Sequence, residues 1–418
     1  MREAFEASIL DKPDESAGYA AYADWLQEQG DPRGEFIAVQ LALEDGSRPA
    51  SERKALQERE RELLAAHERE WLGPLAPFFL DRETYDPTGF GYGTGPEYID
   101  RRTKPITEHQ WQKGFLHQLV TNCLTVTLAH ALADSRASRF LQRLHIVSPA
   151  SNCELEDYTT SRRVPVWEEE YRYFNEWLEL LGVPMLRNLR VFQMGDANGE
   201  PAEDGMTHNH TYVPGIERLI VEMSRIEELH LLCKSYASGA LFALPNLTNL
   251  RVLRMHALGE PHAEPDRYEI PLDILAQNPT LGKLTHLMLH PHYGHQSFIP
   301  LSRVAPVFHS PHLKSLIHLQ LRLSDMGNDG VREIISSGIL KRLKWLDLRH
   351  GCITDAGARL LARCRDARKL DRLDLSRNAV TSAGLAELRK AKINAVANNP
   401  LTDEELADQQ YLREGDFE

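Results

Sequence analysis

The sequence lacks any apolar run near the roughly 20 residues that a membrane-crossing helix requires. Its longest such stretch, residues 71–80, is interrupted by Pro74 and Pro77. The opening residues, Met1-Arg2-Glu3-Ala4-Phe5-Glu6, are charged and amphipathic, without the apolar core and small-residue cleavage site of a secretory signal. Cysteine is scarce and odd in number. Cys123, Cys153, Cys233, Cys352 and Cys364 are scattered and form no C-x-x-C pair. Neither a disulfide framework nor a cysteine zinc site is expected, and a reducing cytoplasm is the simplest compartment. Positive charge is in deficit, with 48 Lys and Arg against 61 Asp and Glu. The net charge of −13 argues against nucleic acid or an anionic membrane as a partner. Common catalytic signatures are missing too: there is no G-x-S-x-G elbow, phosphate-binding G-x-x-x-x-G-K-[ST], dinucleotide fingerprint or H-E-x-x-H. Gly89-Phe90-Gly91-Tyr92-Gly93-Thr94-Gly95 is glycine-rich, but its interleaved aromatics and the lack of a following helix suit a surface loop.

What is present is a repeat. Leu316-Ile-His-Leu319-Gln-Leu321, Leu343-Lys-Trp-Leu346-Asp-Leu348 and Leu370-Asp-Arg-Leu373-Asp-Leu375 all read L-x-x-L-x-L. The intervals Leu321 to Leu348 and Leu348 to Leu375 are both 27 residues. Each is followed by similar punctuation: Asn328-Asp329-Gly330, Thr354-Asp355-Ala356-Gly357 and Thr381-Ser382-Ala383-Gly384. The Asn or Thr there can cap a helix whose apolar positions (Ile334/Ile335, Leu360/Leu361, Leu385/Leu388) face inward. A strand and a helix cannot bury their own leucines, so successive units must stack around a shared core. The strand signature persists upstream at Leu141/Leu144/Ile146, Leu186/Leu189/Val191, Ile226/Leu229/Leu231, Leu250/Leu253/Met255 and Leu284/Leu287/Leu289. Phe115–Val120 reads as a degenerate first strand, and residues 391–401 as a terminal unit. Inserts at 148–185, 195–225 and 257–281 are polar and rich in Pro and Gly, and are expected as surface loops.

The 27-residue spacing with a helix in every unit resembles the ribonuclease-inhibitor type of leucine-rich repeat. That resemblance implies an α/β solenoid, a horseshoe with parallel strands on its concave face and helices on its convex face. Residues 1–110 differ: helices are expected at 1–10 and 18–29, then one capped by Asp31 with Pro32 at its first position, then one over 51–72. Here Tyr22-Ala23-Asp24-Trp25-Leu26, Gly30-Asp31-Pro32-Arg33-Gly34-Glu35-Phe36-Ile37 and Gln40-Leu41 resemble the repeat-companion domain that precedes leucine-rich repeats in certain bacterial proteins. Trp71-Leu72-Gly73-Pro74 and Trp111-Gln112-Lys113-Gly114-Phe115 resemble its continuation into the first strand. The resemblance implies architecture and no chemistry. Trp25, Phe36 and Ile37 are expected to cover the end of the repeat core, with Arg33 and Glu35 held by local charge pairing. The organisation is therefore a helical cap (1–110), a solenoid (111–402) and an acidic tail (403–418).

Because strand side chains alternate, residues between the leucines should point out of the concave face. They are Arg143, His145, Val147; Asn188, Arg190, Phe192; Glu228, His230, Leu232; Val252, Arg254, His256; His286, Met288, His290; His318, Gln320, Arg322; Trp345, Asp347, Arg349; and Arg372, Asp374, Ser376. Six arginines and six histidines against three acids suggest a face for an acidic protein or peptide. Arg190, His230, Arg254, Arg322, Trp345, Arg349 and Arg372 are the candidate contacts, with Trp345 and Phe192 as aromatic anchors. A second reading comes from another class. His256, His286, His290 and His318, near His292, His295, His208 and His210, could bind Zn, Fe or Cu in a metal-dependent or peptide-modifying enzyme. Glu260, Glu264 or Asp266 could complete such a ligand set. The first reading expects no cofactor. The oligomeric state is not legible.

Overall fold

The computed structural model describes residues 1–81, 107–149, 176–195, 213, 215–236, 239–258, 260–261, 268–291, 297–402 and 404–405. The glycine-rich stretch 89–95, His208, His210, His292, His295, Glu264, Asp266 and nearly all of 403–418 lie outside them. The chain forms two compact units, Met1–Arg190 and Val191–Glu418.

The first unit begins with helices α1 (Arg2–Asp11), α2 (Ser16–Glu28), α3 (Pro32–Glu44), α4 (Ala50–Leu72) and α5 (Ala76–Leu80). Asp31 caps α3 as expected, its carboxylate accepting the Arg33 amide at 2.9 Å. Strands β1 (Thr107–Gln112) and β2 (Phe115–Leu124) form an antiparallel hairpin, and β3 (Arg143–Pro149) lies parallel to β2. Between β2 and β3 runs α6 (Val126–Asp134), capped by Thr125. The hairpin turn is Lys113-Gly114, both with positive φ (50° and 82°), the geometry whose twist suits a two-residue connection. Gln40 of α3 clamps it: Oε1 accepts the Gly114 amide at 2.6 Å and Nε2 donates to the Trp111 carbonyl at 3.2 Å. Two apolar clusters flank α3. Ile37 packs with Ile9, Tyr19, Tyr22, Ala23, Leu26, Phe115 and Phe140, with Trp25 partly buried against them. Phe36 packs with Val39, Leu63 and Trp71. The aromatic motif of α2 and α3 thus packs against the first strands through Phe115.

The second unit carries the later and most regular repeats. Its strands are β4 (Val191–Gly195), β5 (Glu228–Tyr236), β6 (Val252–Leu258), β7 (Glu260–Pro261), β8 (Tyr268–Glu269), β9 (His286–Pro291), β10 (Ser297–Phe298), β11 (His318–Leu321), β12 (Trp345–Asp347), β13 (Arg372–Asp374) and β14 (Ala395–Val396). The repeat strands pair in parallel in the order β4-β5-β6-β9-β11-β12-β13-β14, and β10-β8-β7 make a small separate sheet. Helices Leu301–His309, Gly327–Ser337, Asp355–Arg363 and Ser382–Lys390 follow β10 to β13. The repeated leucines are buried throughout.

The 27-residue period extends to the backbone. Leu323, His350 and Arg377, one per repeat, all adopt positive φ (59°, 51° and 52°), turning the chain away from each strand. Thr354 and Thr381 cap their helices, accepting from the amides of Ala356 and Ala383. Asn328 does not cap its own. Its Oδ1 accepts the Thr354 amide at 3.1 Å, as Asp355 accepts the Thr381 amide at 2.8 Å. Each helix start is thus tied to the next repeat. Buried Asn378 adds a second tie: Oδ1 accepts the Gly351 and Ile353 amides, and Nδ2 donates to the Leu348 carbonyl.

Two expectations need correction. The inserts are not wholly surface loop, since their later parts bury Trp177, Leu180, Ile216, Leu219, Met223, Leu272 and Leu275. A parallel strand needs a covering layer on its inner face, and these segments supply it. The register at β4 is also different. Leu189, Phe192 and Met194 face the core, so Phe192 is no anchor; Val191 and Gln193 face outward beside Glu228 and His230. Leu186-x-x-Leu189-x-Val191 and Leu189-x-x-Phe192-x-Met194 are both apolar frames, and pairing with β5 selects the second.

Candidate functional site

The outward face of the second unit's sheet holds its side chains in rows set by strand register. The first row is Val191, Glu228, Val252, His286, His318, Trp345 and Arg372. The second is Gln193, His230, Arg254, Met288, Gln320, Asp347 and Asp374. In the first row the side chains form a continuous stack. The rings of His286 and His318 lie 5.2 Å apart, those of His318 and Trp345 4.7 Å apart, and the Arg372 guanidinium carbon sits 5.1 Å from the indole centre. Trp345 is 38% exposed, a large aromatic surface left to solvent between His318 and Arg372. Burial, reinforced by His286, lowers the His318 pKa to about 4, so its imidazole is neutral at pH 7.

The arginines of this face are partly neutralised from within. Asp347 and Asp374 do not project outward as the alternation implied; they fold back and accept the amides of Arg349 and Ser376. Asp347 is only 3% exposed and serves two guanidiniums, Arg349 at 2.8 Å and Arg322 at 3.5 Å. Asp374 pairs with Arg372 at 3.2 Å. His230 stands 3.4 Å from Glu228. Arg254 lies between His230 and Met288 in the second row. Among the described outward residues of this unit, four arginines stand against Glu228, Asp347 and Asp374, a surplus of one positive charge and less than the residue types alone suggested. Ser376 and Leu232, also expected outward, are buried.

His256 and His290 are register partners with rings 4.7 Å apart, as the spacing implied, and His286 and His318 form the second pair. The two pairs occupy different rows. His286 and His290 are four residues apart along β9, about 13 Å at the usual strand rise. Each pair therefore has its own surroundings. Among the described residues, no three His, Cys, Asp or Glu side chains are grouped to hold a metal ion.

Arg190 belongs to the first unit, where both Nη atoms bind the Asp14 carboxylate at 2.9 and 2.7 Å. Beside it, His117 has its pKa lowered to about 4 by burial and by Arg143, Arg190 and Lys113. Lys113 also sits 5.1 Å from the Tyr19 ring centre and 3.7 Å from Glu44. Sequence reading missed this cluster because its members come from separate elements: Asp14 precedes α2, Lys113 turns the hairpin, and Arg143 opens β3. Glu35 is held by charge pairing as expected, through a two-pronged contact with Arg59 at 2.7 and 2.8 Å. Arg33 is not: among the described residues it has no ion pair, and its guanidinium rests against Trp71 and Trp111.

No described helix is long and apolar enough to cross a membrane. The family model for leucine-rich repeats matches residues 343–362 and 367–388, the two units whose 27-residue register is strictest. No curated protein matches the chain. Among solved structures, a protein of Bacteroides fragilis is similar at 17% identity and a TM-score of 0.45, covering 67% of this chain and 73% of its own. A leucine-rich-repeat protein of Leptospira interrogans is similar at 14% identity and a TM-score of 0.21, covering 73% and 99%.

Proposed function

We propose that this leucine-rich-repeat protein is a binding module that takes a polypeptide partner on the outward face of its second unit. The observation that carries the reading is the stack His286–His318–Trp345–Arg372, with Trp345 left 38% exposed among polar neighbours. Interfaces draw most of their energy from a few aromatic and arginine side chains near their centre, and this row supplies both types side by side. The stack also fixes the rotamers of Trp345 and Arg372 before binding, so less side-chain entropy is lost on association.

The partner's chemistry follows from the charges. Asp347 serves two guanidiniums, and among the described residues the four arginines of this face outnumber its three acids, which favours a partner carboxylate. A partner with acidic side chains beside an apolar residue for Trp345 fits this arrangement. The test is capture by immobilised full-length protein from an extract of its source cells, compared with Trp345→Ala and Arg372→Ala. The same polypeptide retained by the unaltered protein and lost by both variants supports the reading; equal retention by all three contradicts it. Arg322 and Arg349 are unsuitable for this test because they hold a buried carboxylate.

The competing reading is a histidine-ligated metal enzyme. Its support is the two imidazole pairs, each of which would need ligands from elsewhere to complete a coordination sphere.

A further inference from the structure

Arg33 occupies a position where the helix end and burial both disfavour a cation. It lies in the first turn of α3, where the helix dipole disfavours a cation. Its guanidinium carbon is 5.3 Å from the Trp71 ring centre and 5.9 Å from that of Trp111, and the two indoles, 6.0 Å apart and edge to face, adjoin it on one side. Burial lowers its pKa, with Tyr22, Asp31 and Glu6 opposing the shift and Arg2 adding to it.

The carboxylates around it are engaged by other donors. Asp31 binds Arg2 and caps the Arg33 amide. Glu6 binds Arg136 at 3.2 Å and the Tyr22 hydroxyl at 3.2 Å. Glu35 binds Arg59, and Glu68 accepts from Trp111 Nε1 at 2.8 Å and lies 2.7 Å from His109 Nε2. Among the described residues, none accepts a hydrogen bond from the Arg33 side chain. A guanidinium carries five N–H donors in a planar fork, and here none of them is matched by a described acceptor. Two indoles stabilise the charge through their faces but accept none of those N–H groups in the usual geometry. Yet the residue is not sealed: it is only half-buried, so its donors can be reached from solvent.

We propose that Arg33, resting against the adjoining indoles of Trp71 and Trp111, is an oxyanion-binding site that takes a single carboxylate or phosphate group on the guanidinium fork. The pairing is two-pronged, the geometry in which arginine binds either group best. The site lies in the first unit and is independent of the partner face on the second. Gly34 has the Ala23 carbonyl 2.6 Å from where a Cβ would stand, so the Asp31-Pro32-Arg33-Gly34 turn, and Arg33 with it, is pressed against α2.

The experiment uses full-length protein titrated separately with sodium acetate and inorganic phosphate at constant ionic strength. Tryptophan fluorescence and Tm are read for the unaltered chain, Arg33→Gln and Arg33→Lys. The unaltered protein is expected to show saturable quenching and an upward Tm shift with one or both anions. A response to acetate alone assigns the site to a carboxylate, and to phosphate alone, to a phosphate. Arg33→Gln should lose the response while matching or exceeding the anion-free Tm of the parent, because an uncompensated charge has been removed. Arg33→Lys keeps the charge but loses the fork, and should bind roughly tenfold more weakly. If the unaltered protein responds to neither anion, or if Arg33→Gln responds equally, the proposal is overturned.

Discussion

The imidazole of His318 lies against the indole of Trp345 with ring centres 4.7 Å apart and planes 20° from parallel. Burial, with His286 adding to it, lowers the His318 pKa from 6.5 to about 4. His117 in the first unit is lowered to the same value. Because the folded chain binds these protons less readily than the unfolded one, stability is complete above pH 6.5 and falls as pH drops towards 4. Urea midpoints between pH 7 and 4.5 should decline, and less steeply in a His117→Asn/His318→Asn double variant. Parallel profiles for the two proteins would show that neither imidazole is held neutral by the fold.

The alkaline side runs in the opposite sense. Burial raises Tyr19 and Tyr22 from 10 to about 12, with Asp14 and Glu6 respectively adding to the shift. Folding favours their protonated forms, so that contribution is intact below pH 10 and is lost as pH rises towards 12. In a tyrosinate absorbance titration, two of the 13 tyrosines should ionise late and together with unfolding. Early ionisation of all of them would contradict the burial described for the cap.

Asp347 is the internal counter-ion of the partner face. Asp347→Ala leaves Arg322 and Arg349 facing each other without it and should cost roughly 3–5 kcal/mol, as expected when a buried pair loses one member. Charge reversal at either arginine should also destabilise. Chemical denaturation measures both; a loss below about 1 kcal/mol for Asp347→Ala would mean the pair is effectively solvent-screened.

Gly114 has positive φ, and a Cβ there would stand 2.1 Å from Ile37 Cγ1 in the packed cap. Gly114→Ala should therefore cost on the order of 2–3 kcal/mol, combining backbone strain with overpacking. Gly30 also has positive φ but no neighbour within 4 Å, so Gly30→Ala should cost only about 1 kcal/mol. Equal losses in the two variants would rule out the Ile37 contact as the cause.

The repeats were legible in the sequence because leucine spacing directly encodes burial: Leu346, Leu348, Leu373 and Leu375 all lie in the core. Register failed at β4, where Leu186, Leu189, Phe192 and Met194 offer two apolar frames and only pairing with β5 chooses between them. The histidine pairs were legible because parallel strands place equivalent positions side by side. The charge balance was not. Strand alternation assigns Asp347 and Asp374 to the exterior, but it does not reveal that each turns back onto an amide two residues on. Arg33 was misjudged for a similar reason, since its sequence neighbours Asp31 and Glu35 are committed to Arg2 and Arg59.

The imidazole pairs make a clear statement about metal. Elemental analysis of untagged protein incubated with zinc, iron or copper salts should find less than one bound ion per chain. One ion per chain, lost when His256, His286, His290 and His318 are all changed to alanine, would instead support the enzyme reading.

The central claim is that the partner touches Trp345. Its most direct test places a photo-crosslinking amino acid at Trp345 in one full-length protein and at Ile274 in another. Ile274 is comparably exposed, at 36%, but lies on the helix Leu272–Gln277. Irradiated in the source cells, the Trp345 probe should yield a discrete adduct with another polypeptide and the Ile274 probe none. No adduct at Trp345, or the same adducts at both positions, would contradict the account.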